Sequence, residues 1–367
     1  MTRQTPISGG PTSLQIWGKS DLKIMLIITT GISGCDRKEH LALLEKFSKS
    51  HKKNVKIYNV GQMIFKQAEK IGITLTTENV LNSNPHVLNS LRSAVFEIIL
   101  SSLKNDLKTY DAVFINIHAF FLWKKIFVKA YDKFYPGQFN ADAFVTFIDN
   151  AKDIKNELDK RPQWKPERMT IEEILLWQNI EVEVTSSWAD MNLKSFYVIP
   201  SKQPVSGLYR LIFCPEQEPV YISMPITHLQ EKKMQIRVDK FIEELNRYFI
   251  VFDPRIVELG SDPAIVKIGK KANKNPVFYT QVVNRDLYWF VRQSKKVIAF
   301  FPKVVSSPGV INELREAHET NKTVWVIHPG SESSPFITYF CDKVFNNEKE
   351  FFGFLKKNYK PFKDHFQ

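Results

Sequence analysis

Nine short apolar runs punctuate this chain, and between most of them lie stretches whose apolar residues recur at helical spacing. The runs fall at 23–30, 55–60, 112–118, 143–148 and 195–199, then at 220–226, 249–252, 297–301 and 323–327. Runs this short and this continuously apolar suit strands buried on both faces, and strands that alternate with helices build parallel sheets. The chain therefore reads as α/β, doubly wound and parallel. Between the runs, Leu41, Leu43, Leu44 and Phe47 mark a helix. Further helices are expected at 61–71, 87–104, 122–134, 151–160, 234–248, 284–293 and 311–320. Thr170 and Glu173 form a capping box that opens another, reaching to about residue 189.

At 367 residues the chain exceeds the size at which single cores stop growing. The natural break is the proline-bounded link Pro215-Glu-Gln-Glu-Pro219. Residues 21–215 are then one expected domain and 219–367 a second. Residues 1–20 carry Pro, Gly, Ser and Thr without an apolar core, as a flexible tail does and a secretion signal does not. No run approaches the roughly 20 apolar residues of a membrane span. Cys35, Cys214 and Cys341 lie far apart with no CxxC pair, which points to a reducing cytoplasm and to no structural zinc. The formal charge of +12 suits a small phosphorylated ligand as well as a polyanion. The lysines are dispersed and no RNA-binding signature is present, so nucleic acid is a partner that the charge allows and no motif favours.

Two carboxylates stand where chemistry could be done. Pro308-Gly309 punctuates the chain before Val310, Ile311, Leu314 and Ala317, which follow helical spacing. This places Glu313 in the first turn of the expected helix, where the dipole favours its ionised form. Asp286 precedes the strand at 297–301, and acids before and after one strand can meet in the crevice beyond the strand ends. Taken singly, each acid reads as a solvated helix face; together they point to a site. The stretch 260–280, rich in Lys, Asn, Gly and Pro, is a loop long enough to cover one.

In the first half, Gly31-Ile-Ser-Gly34-Cys-Asp-Arg37-Lys38 follows a strand and opens a helix, the layout of a phosphate cradle. Against GxxxxGK[ST], Asp36 replaces the second glycine, Arg37 the lysine and Lys38 the hydroxyl, which removes the usual magnesium ligand. Lys38 and Arg92 are candidates to hold phosphates, with ATP or another nucleotide as the ligand. His118 has no second His or Cys at metal spacing and reads as a structural histidine; no metal site is expected.

Residues 21–213 resemble adenylate-kinase-like P-loop nucleotide kinases in the Gly31 loop, the Tyr58-Asn-Val-Gly61 turn and the Asn116-Ile-His118 strand end, with Asn116 where those kinases carry an acid. Residues 220–328 resemble the nucleoside 2-deoxyribosyltransferase superfamily through Tyr221 with Pro225, Asp286-Leu-Tyr-Trp289, and Gly309 followed four residues later by Glu313. Ser307, Gly309 and Val310 ahead of Glu313-Leu314 are most similar to its 2'-deoxynucleoside 5'-monophosphate N-glycosidases. The resemblances imply a P-loop kinase-like doubly wound parallel sheet followed by a smaller flavodoxin-like α/β domain.

For function they imply an N-glycosidase that cleaves the base–sugar bond of a nucleotide, nicotinamide dinucleotide included, through a glycosyl-Glu313 intermediate and without a cofactor. Asp286 would orient the sugar or act as acid and base, and Tyr221 would hold Glu313. Ser223, Met224, Pro225 and Asn312 are the implied substrate-binding neighbours. Met224 stands where relatives have glycine and would narrow the pocket. Ser307, unless only a turn residue, and the Gly309 N–H would receive phosphate. Ser333 and Ser334 would add contacts from a loop that in the family reaches a neighbouring subunit, implying a homodimer or higher homo-oligomer. Two other readings compete: a P-loop nucleotide kinase, and a non-catalytic protein that binds nucleotide or nucleic acid.

Overall fold

The computed structural model describes residues 25–131, 134–229, 231–258, 280–281, 283–330 and 334–362. The expected tail at 1–20, nearly all of the loop at 260–280, and Ser333 lie outside the described residues. Strands β1 (Met25–Gly31), β2 (Val55–Asn59) and β3 (Ala112–Asn116) precede a hairpin of β4 (Phe120–Trp123) and β5 (Ile126–Lys129). Strands β6 (Ala143–Ile148) and β7 (Ser195–Pro200) join the first three in a parallel sheet ordered β2-β3-β1-β6-β7. The central strand β1 is buried along its whole length, as its apolar run requires.

A second parallel sheet contains β8 (Pro219–Ser223), β9 (Ile250–Phe252), β10 (Lys296–Phe300), β11 (Thr323–Ile327) and β12 (Lys343–Phe345). Its order is β12-β11-β10-β8-β9. The chain leaves β8 toward β9 on one side and returns to β10 on the other, so the order reverses between β8 and β10. In open α/β sheets the crevice beyond the strand ends at such a reversal is where ligands bind.

The stretch 122–134 is not the expected helix. Its core is the β4–β5 hairpin, in which Phe121 pairs with Val128 and Leu122 with Phe127. Lys124 and Lys125 close it with φ of 51° and 63°, the pair of positive values that a two-residue type I′ turn needs. Lysine is an unusual choice there, and no Asn-Gly signal marked the turn. The capping box at Thr170 is present and opens the helix Ile171–Met191.

One buried cluster crosses both sheets, joining Phe147, Trp177 and Leu208 to Tyr221, Phe252 and Phe290. Trp177 and Phe290 are fully buried, and each such side chain contributes about 2–3 kcal/mol by leaving water. At the outer edge of the first sheet, the Val198 N–H donates to Gln293 Oε1 at 2.8 Å and Gln293 Nε2 donates to the Val198 carbonyl at 3.0 Å. A side-chain amide thus satisfies backbone groups that an edge strand leaves unpaired. Among the described residues, no helix is long and apolar enough to cross a membrane.

Candidate active site

Alternation along β8 sorts its side chains onto two faces. Val220, Ile222 and Met224 enter a core with Phe241 and Phe300, whereas Tyr221 belongs to the cluster on the opposite face. Met224 therefore fills the core instead of narrowing a pocket on the Tyr221 side. Tyr221 and Ser223 meet the helix Pro308–Glu319, which follows β10. The Tyr221 hydroxyl donates to Glu313 Oε1 at 2.9 Å, and the Ser223 hydroxyl donates to Glu313 Oε2. The Tyr221 ring is buried and lies nearly parallel to Phe290, with centroids 6.1 Å apart, so its hydroxyl has a fixed origin. Burial and the neighbouring Glu313 charge keep Tyr221 well above the usual phenol range, as a donor.

The helix starts at Pro308, three residues earlier than the spacing suggested, so Glu313 lies in its second turn, beyond the reach of the terminal dipole. The expectation of a readily ionised carboxylate is reversed. Withdrawal from water, followed by the charge of Asp286, pushes Glu313 up to about 8, against the opposing pull of the Ser223 and Tyr221 hydroxyls. Above the ordinary carboxylate range and below about pH 8, the folded protein retains a proton that the unfolded chain has released. Stability from this proton is complete at low pH and is lost as pH rises through about 8. Between pH 5 and 9, Glu313→Gln is expected to gain about 1–2 kcal/mol relative to the parent, a value discounted for the water that reaches this half-buried group. Urea denaturation at the two pH values checks it; an unchanged difference contradicts the assignment.

Asp286 comes from the eight-residue π-helix Asn284–Val291, a rare form often found at functional sites. Arg285 Nε donates to Asp286 Oδ1 at 2.8 Å and Nη2 to Oδ2 at 3.2 Å, a two-pronged grip. Burial raises Asp286 above the usual carboxylate range, and the Arg285 charge opposes it. Burial also works against the Arg285 charge, but Asp286 and Glu258 outweigh it and hold Arg285 above its usual range.

The remaining expected residues are more dispersed. Ser307 is the N-cap of the Pro308 helix, its hydroxyl accepting from the Val310 N–H at 3.5 Å. Gly309 is exposed, and a Cβ there would meet nothing within 4 Å, so crowding does not demand glycine. Asn312 is exposed and turned onto its own helix, Nδ2 donating to the Pro308 carbonyl at 2.9 Å, and thus away from Glu313. Pro225 is buried ahead of the 3-10 turn Ile226–His228, and Ser334 is exposed before the helix Pro335–Phe340.

The glycine loop of the first sheet does not present the expected groups to a phosphate. The Gly31 N–H donates to Glu181 Oε1 at 3.1 Å, and the same carboxylate accepts from the Ala119 and Phe120 N–H groups at 2.8 and 2.9 Å. Glu181 is fully buried, so the protein's own carboxyl group takes the Gly31 N–H that a phosphate would need. Arg37 is also buried and donates to the Gly31 and Ile117 carbonyls at 2.8 and 2.6 Å. Its Nη2 lies 3.2 Å from His118 Nε2. A Cβ on Gly31 would sit 2.8 Å from the Phe147 carbonyl, so the close approach of β6 accounts for this glycine without a ligand. Gly34 turns at φ +85°, and Asp36 holds a left-handed φ of 49°. Arg92 is buried and donates to Asn89 of its own helix at 2.8 Å, leaving Lys38 exposed among the proposed phosphate contacts. Asn116 Nδ2 donates to Asn59 Oδ1 at 2.8 Å across neighbouring strands.

Sequence reasoning missed Arg285 and Glu181. Arg285 could have been found, because a basic residue beside a candidate acid in a helical pattern is a ready counter-charge. Glu181 gives no such signal in the middle of a long amphipathic helix.

No family model matches this chain, and no curated protein matches it. Among solved structures, it is similar to a 2-deoxyribosyltransferase of Bacillus psychrosaccharolyticus, with 18% identity and a TM-score of 0.26, over 40% of this chain and 99% of that one. A likeness this loose carries no argument about activity or substrate.

Proposed function

We propose that the second sheet carries an N-glycosidase site that cleaves the base–sugar bond of a nucleotide, with Glu313 as nucleophile. The observation that supports this most is a carboxylate fixed by two hydroxyls, Tyr221 and Ser223, within the influence of a second carboxylate gripped by Arg285. Cleavage of a glycosidic bond builds positive charge at the anomeric carbon, which an ionised carboxylate both stabilises and can trap. In this reading a Glu313 oxygen bonds to C1' as the C1'–N bond breaks and its electron pair leaves with the base. Asp286, its two oxygens held by Arg285, orients the sugar, and solvent supplies the proton that neutralises the departing nitrogen. Water then attacks C1', Glu313 leaves as carboxylate, and Asp286 accepts the proton of that water and returns it to solvent.

The N-terminus of the Pro308 helix supports a phosphorylated substrate. Pro308 has no N–H, so the Gly309 N–H and the Ser307 hydroxyl are the groups available to an anion there. The test is incubation with 2'-deoxynucleoside 5'-monophosphates, ribonucleotides, free deoxynucleosides and nicotinamide dinucleotide, with free base read by chromatography. Release from at least one phosphorylated compound is expected; none from any member would overturn the reading. Ser307→Asp is expected to lower the preference for phosphorylated over free nucleosides by about tenfold through charge repulsion. An unchanged preference would remove Ser307 from the phosphate site.

A further inference from the structure

The grip on Asp286 does not end within the second sheet. Arg285 Nη2 also donates to Glu258 Oε2 at 2.6 Å, and Nη1 to the Val257 carbonyl at 3.3 Å. The Glu258 carbonyl in turn accepts from Asn150 Nδ2 at 2.6 Å. Asn150 belongs to the first sheet: it lies just past β6, its N–H donates to Asp149 Oδ1 at 2.7 Å, and the Asp149 N–H donates to Gln178 Oε1 at 2.9 Å. Asp149, Gln178, Arg285 and Trp289 line one small cavity between the sheets. The Gln293 amide, two residues beyond the π-helix, adds a second tie to β7.

We propose that the first sheet is a working part of the site: through Asn150, Glu258 and Arg285 it fixes the position of Asp286, which makes Arg285 a positioning residue and Asn150 its remote anchor. This rests on the reading of Asp286 and Glu313 as the reacting pair. A buried arginine fork orients a carboxylate well only if its own remaining donors are held, and here those partners are carried to strand ends of the other sheet. The first sheet thus has a task that needs no bound nucleotide.

Asn150→Ser separates this role from simple destabilisation, because serine keeps the cap that Asn150 Oδ1 provides to the Lys152 N–H while losing the amide that reaches Glu258. An equimolar mixture of the four 2'-deoxynucleoside 5'-monophosphates serves as substrate. Asn150→Ser and Gln293→Ala are each expected to lower kcat at least about fivefold with KM changed less than about twofold. Added to Arg285→Ala, Asn150→Ser is expected to cost nothing further, since its effect runs through Arg285. Without substrate, hydrogen–deuterium exchange across residues 283–293 is expected to quicken severalfold in both single variants. Unchanged kcat with unchanged exchange, or losses that multiply with Arg285→Ala, overturn the coupling and leave the glycosidase reading standing. Absence of base release by the parent protein instead defeats that reading, and exchange alone then decides the coupling.

Discussion

Glu313→Gln is expected to lower base release at least about a thousandfold at pH 8 while the protein stays folded. The amide has the shape of the carboxylate and still accepts from Tyr221, but it cannot trap an anomeric carbon. Because burial and Asp286 hold Glu313 at about 8, the parent rate is expected to rise with pH through that region as the nucleophile ionises. Steady-state kinetics from pH 6 to 9, with circular dichroism to monitor folding, check both points. A variant retaining more than about a tenth of the parent rate shows that the bond is broken without this oxygen.

Glu181→Leu is expected to destabilise the first sheet by about 3–5 kcal/mol, the largest single effect foreseen on stability. Three backbone N–H groups, of Gly31, Ala119 and Phe120, would lose their acceptor, the first two of them buried. The buried Arg37 would also lose a neighbouring negative charge. Glu181→Gln retains a carbonyl acceptor but donates from the other atom, so a smaller loss is expected. For a unit of this size the loss corresponds to a fall in melting temperature of roughly 10 °C, measurable by calorimetry. A fall below about 2 °C would mean that Glu181 does not hold the glycine loop together.

Much of the fold could be read from the chain because its strands are buried on both faces and leave uninterrupted apolar runs. The strand at 323–327 and the helix at 151–160 match the observed bounds. Reading failed where one composition serves two structures. Phe120 to Val128 has apolar residues at positions compatible with a helix, and only the left-handed Lys124 and Lys125, which carry no turn signature, make it a hairpin.

At the site, Tyr221 was legible through the resemblance as the residue that holds Glu313, Ser223 only as a substrate-binding neighbour, and Glu313 because Pro308-Gly309 marks its helix, which in fact begins at Pro308. Its protonation was not legible. The dipole argument depended on a helix start misplaced by three residues, and the opposing effect of Asp286 is a matter of distance in space. The glycine loop misled for a similar reason: spacing showed groups able to bind an anion, but not that the carboxyl group of Glu181, some 150 residues away, already takes the Gly31 N–H.

The role of Glu313 is tested most directly by acid-quenching a reaction within the first turnovers and mapping peptides by mass spectrometry. A sugar-phosphate adduct on Glu313, absent from Glu313→Gln, is the expected result. Base release without any adduct there, or with the adduct on another residue, would contradict Glu313 as the nucleophile.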